Sequence, residues 1–436
     1  MNKNKFSIVL VLIVVGATLI YLIPSIISTS NSFEYNWSRT WGGDQSDAGY
    51  EVAVDSSDNI YLAGWTYSYG LGYQSMALLK YDDSGSLLWN ITWGGSGYDS
   101  CYGVVVDSLD NVYIVGYTGS FGAGGDDMVI VKYNSIGLQQ WNRTWGGSAI
   151  LKAETAWGVA VDSLNNVYIA GYTENFGVGE EDLVLLKYDD SGVQIWNRTW
   201  GGGLSERGYS VVVDTFNNIY VSGSTFSFGA GDEDILLVKY DHSGKQLWNR
   251  TWGGGLSDSG SEVAVDSFNN VYISGTTESF GAGNEDMVLI KFDGSGNQLW
   301  NRTWGGASFD SGSDVVIDSM GNVYSVGSSK SHTIHPDILI VKYNSSGAQL
   351  WSQTWGGSDV DLCFGGAVDS SDNLYLGGVT GDDMILVRFG IKQQEETSPG
   401  IPGYSMWLLI GMIGVVGILI TYIVKKKSKY FYYIVV

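Results

Sequence analysis

The chain has 436 residues, including 61 Gly, 17 Trp and 28 Tyr but only 4 Pro. Its formal net charge of -23 means that its surface repels phosphate, so we exclude nucleic acid as a partner. Abundant Gly and aromatic residues favour many short strands joined by turns over a disordered chain.

Residues 1–30 form the first predicted element, which is a nearly continuous apolar segment behind Lys3 and Lys5. Two interpretations fit this segment. It is either a cleaved signal peptide or an N-terminal membrane anchor, and the sequence leaves the choice open. In both cases we expect the residues that follow to be exported.

A repeat dominates the stretch from residue 31 to residue 390. The sequence Thr-Trp-Gly-Gly occurs in seven copies, about fifty residues apart, and a fixed period of this size marks a repeat architecture. The Trp residues of the seven copies are Trp41, Trp93, Trp145, Trp200, Trp252, Trp304 and Trp355.

One repeat contains four predicted strands. In the second copy they cover residues 104–106, 112–117, 127–133 and 138–145, with tight Asp- and Gly-containing turns between the first pair and the last pair. Seven such units predict an all-β fold, a seven-bladed β-propeller of four-stranded blades. We expect an N-terminal hydrophobic helix and a C-terminal transmembrane helix to flank it.

The two ends of the repeat region predict how the ring closes. The seventh repeat stops without a Trp strand, whereas the first copy, at residues 35–43, is a Trp strand with no blade ahead of it. The simplest arrangement is that residues 35–43 complete blade seven. Closure of this kind removes the exposed sheet edges that an open solenoid would leave.

The turn sequences carry a family resemblance. Residues 318–327 read Asp-Ser-Met-Gly-Asn-Val-Tyr-Ser-Val-Gly, which resembles the SBBP repeat of seven-bladed propellers from secreted bacterial and archaeal proteins. In most other copies Asp or Asn replaces the Gly, and both residues tolerate the same turn conformation. The resemblance covers about residues 35–390 and implies the fold, but it says little about function. The other copies lie at residues 55–64, 107–116, 162–171, 214–223, 266–275 and 369–378.

An acidic residue stands eight positions before the recurring Asp of each repeat. Carboxylates in a ring suggest calcium, a hard cation that prefers oxygen ligands. In the alternative interpretation, each carboxylate caps a turn of its own chain or pairs with an Arg of the Trp strand. The calcium candidates are Asp47, Asp99, Glu154, Glu206, Asp258, Asp310 and Asp361. A second acidic series opens the third strands at Asp127, Asp182, Asp234, Asp286, Asp337 and Asp383.

Other residues are weaker candidates for a site. His332, His335 and Asp337 provide part of a transition-metal ligand set on one loop. The recurring Trp and Phe residues predict packing between blades, whereas aromatic residues that do not recur are candidate ligand contacts. The latter are Tyr67, Tyr69, Tyr73, Tyr98, Trp157 and Phe309.

Sequons of the form Asn-x-Ser/Thr recur along the chain. On an exported protein they are candidates for N-glycosylation, although a strand repeat with Thr at a favourable β position explains them equally well. Their Asn residues are Asn36, Asn90, Asn142, Asn197, Asn249, Asn301 and Asn344.

The C-terminal part predicts a membrane anchor. Residues 391–403 read as a polar linker, residues 404–424 are apolar and long enough to cross a bilayer, and residues 425–436 begin with a lysine cluster that should stay cytoplasmic. This orientation predicts a cell-membrane protein whose propeller faces outward.

The sequence predicts a binding or adhesion module rather than an enzyme. Neither a nucleophile elbow nor a phosphate-binding loop is apparent. The expected partners are the membrane and an extracellular protein or glycan, the expected state is a monomer, and no cofactor is predicted apart from the candidate calcium. An extracellular propeller enzyme, either glycan-active or quinoprotein-like, and a structural surface-layer component are the alternatives.

Overall fold

The computed structural model describes residues 33–331 and 334–391. These residues form 28 strands in seven four-stranded antiparallel sheets, with no helix among them. The predicted seven-bladed all-β propeller is therefore confirmed. Residues 1–30 and 404–424, to which flanking helices are assigned above, lie outside the described residues. Within the described part, no helix is long and apolar enough to cross a membrane.

Each blade contributes one strand to each of four concentric positions. The innermost strands are β2 (Asp47–Val54), β6 (Asp99–Val106), β10 (Glu154–Val161), β14 (Glu206–Val213), β18 (Asp258–Val265), β22 (Asp310–Ile317) and β26 (Asp361–Val368). The second strands are β3 (Ile60–Thr66), β7 (Val112–Thr118), β11 (Val167–Thr173), β15 (Ile219–Thr225), β19 (Val271–Thr277), β23 (Val323–Ser329) and β27 (Leu374–Thr380). The third strands are β4 (Ser75–Tyr81), β8 (Asp127–Tyr133), β12 (Asp182–Tyr188), β16 (Asp234–Tyr240), β20 (Asp286–Phe292), β24 (Asp337–Tyr343) and β28 (Asp383–Ile391). The outermost strands are β1 (Phe33–Trp41), β5 (Leu87–Trp93), β9 (Gln139–Trp145), β13 (Gln194–Trp200), β17 (Gln246–Trp252), β21 (Gln298–Trp304) and β25 (Gln349–Trp355).

The core lies between the blades. All seven residues of β8 are buried, because neighbouring blades cover both faces of its sheet. Ile130 of blade two, for example, shares a core cluster with Ile169 and Val184 of blade three. The outermost strands instead alternate between half-buried and exposed residues, as β13 shows. The continuous apolar runs of the middle strands are therefore a direct consequence of stacking sheet on sheet.

The ring is closed by its two chain ends. The N-terminal strand β1 pairs with β28 and forms the outer strand of blade seven, while innermost strands β2 and β26 contact each other. The Arg39 side chain on β1 donates from Nε to the carbonyl oxygen of Gly85 in blade one, at 2.8 Å. Four other outer-strand arginines bind a turn of the next blade in the same way: Arg143, Arg198, Arg250 and Arg302.

Tight turns join the first and second strands of every blade. In blade two, Asp107 Oδ1 accepts from the backbone N–H groups of Leu109 and Asn111, and Asp110 has a φ of 60°. The equivalent residue in blade six is Gly321, with a φ of 76°. The positive φ explains why Asp, Asn and Gly exchange at this position, since these residues tolerate it best. The longer loops gather on the opposite face.

We predict that β1 is required for a cooperative fold. A chain that begins at residue 44 lacks the outer strand of blade seven and the Arg39 contact, so its melting temperature should fall by roughly 10 °C or more and its transition should broaden. Thermal unfolding followed by circular dichroism measures this. A chain that begins at residue 31 is the matched control, and identical melting curves for the two chains would contradict the role of β1 in closure.

Candidate functional site

Every innermost strand carries a β-bulge near its middle. In β2, Gly49 pairs with Gly64 and Glu51 pairs with Ala63, which leaves Tyr50 without a partner residue. A regular strand sends successive side chains to opposite faces, but a bulge re-aims them. As a result Tyr50 and Glu51, although adjacent, both line the central channel. The first residues left unpaired by the seven bulges are Tyr50, Tyr102, Trp157, Tyr209, Ser261, Ser313 and Phe364.

Five of these bulge residues form an aromatic belt across blades seven, one, two, three and four. Phe364 stacks on Tyr50 with ring centroids 4.8 Å apart, and Tyr102 stacks on Trp157 at 4.1 Å. Edge contacts join the rest, with Tyr50 at 4.9 Å from Tyr102 and Trp157 at 5.7 Å from Tyr209. Neighbouring rings hold each other in place, so the belt is a preformed wall.

Blades five and six complete the channel with serine instead of aromatic residues. Ser261 and Ser313 occupy the equivalent bulges, and the small side chains leave a cavity of about 240 Å³ bounded by the aromatic belt. That volume is several times the share of one water molecule in liquid, about 30 Å³. The indole N–H of Trp157 is buried and has no hydrogen-bond partner among the described residues. The indole N–H therefore does not face the cavity, and Trp157 contributes its ring to the wall.

A carboxylate group follows the bulge in three blades. The side chains are Glu51, Glu262 and Asp314, and Glu51 and Glu262 line the cavity beside the belt. Glu51 Oε1 accepts from the N–H of Val52 at 2.9 Å, and Glu262 accepts from the hydroxyl of Ser210. None of the ion pairs among the described residues includes these three carboxylates. The equivalent residues in the other blades are Gly103, Gly158, Ser210 and Gly365.

Burial raises the pKa of all three carboxyl groups. It raises the pKa of Asp314 to about 7, although hydrogen bonds from the N–H groups of Val315 and Gly366 oppose the shift. Burial also raises the pKa of Glu51 well above its usual range, and the charges of Asp314 and Glu262 raise it further. The pKa of Glu262 rises through burial and the charge of Asp314. Burial in the channel therefore favours the protonated, uncharged forms of these groups unless a cation binds beside them.

A second chamber, lined by aliphatic side chains and by all three carboxylates, lies on the tight-turn side. Its volume is about 320 Å³, and Val263, Val265 and Ile317 contribute to its wall together with Asp314. Glu51 and Glu262 border both chambers, so carboxylates line the aromatic space as well as the second one. Chemically, this arrangement can accept a small molecule that carries both apolar surface and positive charge.

The seven calcium candidates lie at the first position of the innermost strands, where they are buried at the junctions between blades. Asp99, for example, accepts hydrogen bonds from the N–H of Gly95 at 2.8 Å and from the hydroxyls of Thr118 and Ser120. These contacts match the alternative interpretation in which each carboxylate caps a turn of its own chain. The arginines of the outermost strands bind carbonyl groups of the next blade instead of these carboxylates. Among the described residues, no three or more His, Cys, Asp or Glu side chains are placed to hold a metal ion. Calcium binding by this series stays a prediction.

The other candidate site residues predicted from the sequence lie in different parts of the fold. Recurring Trp and Phe residues pack between blades, as Trp145 and Phe176 do with centroids 5.0 Å apart, and Tyr69 takes the Phe position against Trp41. Of the non-recurring aromatics, only Trp157 lines the cavity. The remainder lie elsewhere, and Tyr73 stacks on Tyr98 at 5.6 Å on the long-loop face. His332 lies outside the described residues, so that metal hypothesis also stays a prediction.

Six of the seven sequon asparagines are exposed on the outermost strands. These are Asn36, Asn90, Asn142, Asn197, Asn249 and Asn301. Asn344 differs because it is half-buried in a turn, where its Oδ1 accepts from the N–H groups of Ser346 and Ala348. Their positions leave the first six open to modification, and glycosylation stays a prediction.

Sequence reasoning missed most of the channel residues because it searched for recurrence. The signal was present as variation: within otherwise matching strands, the fourth position reads Tyr, Tyr, Trp, Tyr, Ser, Ser and Phe from blade one to blade seven. Residues that hold a repeat together recur, as Asp99 and its equivalents do. Residues that differ at an equivalent position, such as Tyr50 and Ser261, need another explanation.

We predict a pH-dependent cost of burying Asp314. In the unfolded chain the pKa of this carboxyl group is about 4, which is lower than in the folded protein, so the folded protein binds the proton more tightly. The free energy of unfolding should therefore fall as pH rises from about 4 through 7. Asp314→Asn removes this loss, so the variant should gain melting temperature relative to the parent between about pH 5 and about pH 8. Exposed Asp232→Asn is the control, and a gap that is independent of pH would contradict the prediction.

Comparison with known proteins gives one family and distant relatives. The SBBP family model, described as "Beta-propeller repeat", matches residues 36–72 and 93–122. The "Regulatory protein FlaEY" of Caulobacter vibrioides is 26% identical over 258 residues, which cover 48% of this chain and 27% of that protein. The "Uncharacterized WD repeat-containing protein L264" of Acanthamoeba polyphaga mimivirus is 22% identical over 503 residues, covering 78% and 36% respectively.

The chain therefore spans only about a quarter to a third of the length of these relatives. Among solved structures, it is similar to a protein of unknown function from Bacteroides caccae, with a TM-score of 0.42 and 11% sequence identity. The match covers 68% of this chain and 93% of that one. The two relatives are named as a regulatory protein and a repeat-containing protein, not as enzymes.

Proposed function

Because this chain is an SBBP β-propeller repeat protein, we propose that its ring is a scaffold for one ligand site in the central channel. The observation that supports this is the uneven lining of a regular ring. Five bulges carry aromatic side chains and two carry serine, and three of the following positions carry a carboxylate. A purely structural ring has no need for such differences, because the same position meets the same neighbours in every blade.

The site supports binding of a small molecule, or of a small group that projects from a larger partner. The cavity of about 240 Å³ is concave, partly aromatic and equipped with a few polar groups, as ligand sites usually are. Adhesion fits the same geometry when the bound group belongs to a protein or glycan on another surface. A structural surface-layer role does not use the channel and is the weaker alternative.

An enzyme is the second candidate function, favoured by the carboxyl groups. Glu51 and Glu262 line one cavity, and both have a raised pKa, as a general acid in glycan hydrolysis requires. Against this, neither group is held ionised by a basic partner among the described residues. Retaining and inverting hydrolases both pair an acid with an ionised carboxylate.

We also propose that the propeller is held at the outer side of a cell membrane. The support is the sequence: residues 404–424 are apolar, the lysine cluster of residues 425–429 follows at once, and residues 1–30 read as an export segment or anchor. The acidic propeller would then face a medium in which cations and glycans are available.

The channel can be tested by ligand screening. We expect at least one member of a panel of amines, amino acids, sugars and short peptides to raise the melting temperature of the chain in a saturable manner, by mass action. Tyr102→Ala/Trp157→Ala should abolish that shift, whereas Phe268→Ala, an exposed aromatic in a turn, should not. Shifts that persist in the double variant would refute a channel site, and turnover of glycosides that depends on Glu51 would establish the enzyme instead.

The orientation can be tested with tags in intact cells. An epitope after residue 436 should resist added protease until the membrane is permeabilised, because the basic tail stays cytoplasmic. An epitope in the exposed loop around Leu151, which is 95% exposed, should be digested without permeabilisation. A chain that ends at residue 403 is the control and should be released from the membrane. Protection of both tags, or digestion of both, would contradict the proposed orientation.

A further inference from the structure

This inference rests on the proposal that the propeller is held at a cell membrane, and it names the face that meets the lipid. The tight-turn face carries the turns between first and second strands and those between third and fourth strands. We propose that this face docks flat on the bilayer surface through an arc of apolar turn residues. The apolar arc consists of Leu109, Leu164, Phe216, Phe268 and Met320, one from each of blades two to six.

The residues of the apolar arc occupy equivalent positions and are all exposed. Each lies two positions after the turn Asp between the first and second strands, as Leu109 does after Asp107. Their exposure ranges from 68% at Leu109 to 84% at Phe268. Side chains so exposed contribute little to packing, so packing does not explain why they recur. Large apolar side chains gathered on one face instead indicate an interaction surface.

Hydrogen bonds between neighbouring turns fix the arc as part of one rim. The Ser108 hydroxyl of blade two donates to Asn165 Oδ1 of blade three at 3.1 Å. The Thr215 hydroxyl of blade four donates to Asn269 Oδ1 of blade five at the same distance, 3.1 Å. Five side chains held on one rim, in five successive blades, can all be contacted at once by a broad, flat partner such as a bilayer surface.

Strand direction places both ends of the propeller on this same face. Third strands run from a long loop to a tight turn, so β28 ends on the tight-turn face. Outermost strands run the opposite way, so β1 begins there. The apolar segments at residues 1–30 and 404–424, which are proposed above to meet the membrane, are joined along the chain to these two strands.

The apolar arc is interrupted at the blade to which both ends belong and at the next blade. The equivalent turn residues are Ser371 in blade seven and Ser57 in blade one. Because β1 and β28 both belong to blade seven, the chain itself tethers this side of the ring. Apolar contacts are needed on the remaining blades, where the ring would otherwise be free to tilt away from the lipid.

The long-loop face fits a membrane less well, although it also exposes apolar side chains. Its recurring loop position alternates between large and small residues, and neither β1 nor β28 has its outer end there. From blade one to blade six that position reads Leu71, Ala123, Val178, Ala230, Ala282 and Ile334. Docking by the tight-turn face leaves this face directed toward the medium.

Charge selects the kind of lipid. The turns between third and fourth strands bring carboxylates to the tight-turn face, and hydrogen bonds keep them ionised; the Ser84 hydroxyl, for example, lowers the pKa of Asp82. Other such carboxylates are Asp189, Asp241 and Asp293. Anionic headgroups give a membrane a negative surface potential, which repels an acidic face. The favoured partner is therefore a bilayer of zwitterionic lipid.

Nitroxide labels can test the docking in the full chain inserted into phosphatidylcholine vesicles. Native Cys101 and Cys363 are buried, so a single added cysteine takes the label. Oxygen concentrates in lipid, whereas a hydrophilic nickel complex stays in water. We expect the ratio of oxygen to nickel accessibility to be at least about threefold higher for Phe268→Cys than for Leu151→Cys on the long-loop face, because the arc reaches the headgroup boundary. With roughly a third of anionic lipid, the ratio at residue 268 should fall, and a rise would contradict the lipid class.

A label at Leu164→Cys tests the rest of the arc. Phe216→Ser/Phe268→Ser/Met320→Ser introduces the residue that blades one and seven already carry, so the turns should still fold, and the ratio at residue 164 should fall toward its value in water. Leu71→Ser/Val178→Ser is the matched control on the long-loop face and should leave the ratio unchanged. Equal melting temperatures show that both variants fold.

Other outcomes overturn the inference, and they differ from a failure of membrane attachment. Low accessibility of residue 268 to both reagents would show burial against protein, such as a second copy of the chain. High accessibility to the nickel complex would show that the face lies in water. Either result refutes docking on lipid while the chain remains with the vesicles. A full chain that alkaline washing releases from the vesicles would refute the membrane attachment itself.

Discussion

The propeller depends on a buried carboxylate at the start of each innermost strand. Asp99 joins three segments, since it accepts from the Gly-Gly turn that precedes it and from hydroxyls at the end of the second strand. Leaving several buried donors without an acceptor costs about 1–3 kcal/mol for each one. Every blade has the same need, so the residue is acidic in all seven. The innermost strand that each carboxylate begins is thereby held at a fixed position along the channel.

Recurrence explains why the fold is readable from the sequence. The spacing of Trp41 and its six equivalents predicts the number of blades, and the lone strand at residues 35–43 predicts how the ring closes. The turn residues carry similar information, because Asp110 and Gly321 share a positive φ that few residue types accept. A residue that recurs in all seven repeats meets the same local environment in each of them. A sequence pattern can therefore identify such residues without knowledge of the whole fold.

The site is less readable for a physical reason. Strand periodicity places Tyr50 and Glu51 on opposite faces, and only the bulge between Gly49 and Glu51 turns both toward the channel. No residue pattern within a single repeat predicts that bulge. Recurrence points instead to the acidic series of Asp99 and its equivalents, although these carboxylates accept hydrogen bonds from donors of their own chain. Trp157 was recognisable as non-recurring, but its place in β10 rather than on a loop was not.

Under the proposed function, stability and recognition are divided between two rings of residues. The outer set of recurring contacts, such as Trp145 on Phe176, can be uniform because it faces the same neighbours throughout. The inner set is free to vary, and Asp314 shows what that freedom costs, because burial raises the pKa of its carboxyl group to about 7. Local costs of this kind are tolerated in a fold with a large surplus of packing, and they concentrate where molecules bind.

The pairing of β1 with β28 has a consequence for how the protein is made. These strands lie at opposite ends of the propeller sequence, so β1 leaves the ribosome first and must wait for nearly the whole repeat region before its partner exists. Until then, each partial chain is an open arc with unpaired strand edges, which are prone to aggregation and proteolysis. Only a chain that extends through β28 can hide both edges at once. Closure by β1 therefore makes the protection of both edges depend on a complete repeat region, and a chain that stops earlier keeps an exposed edge.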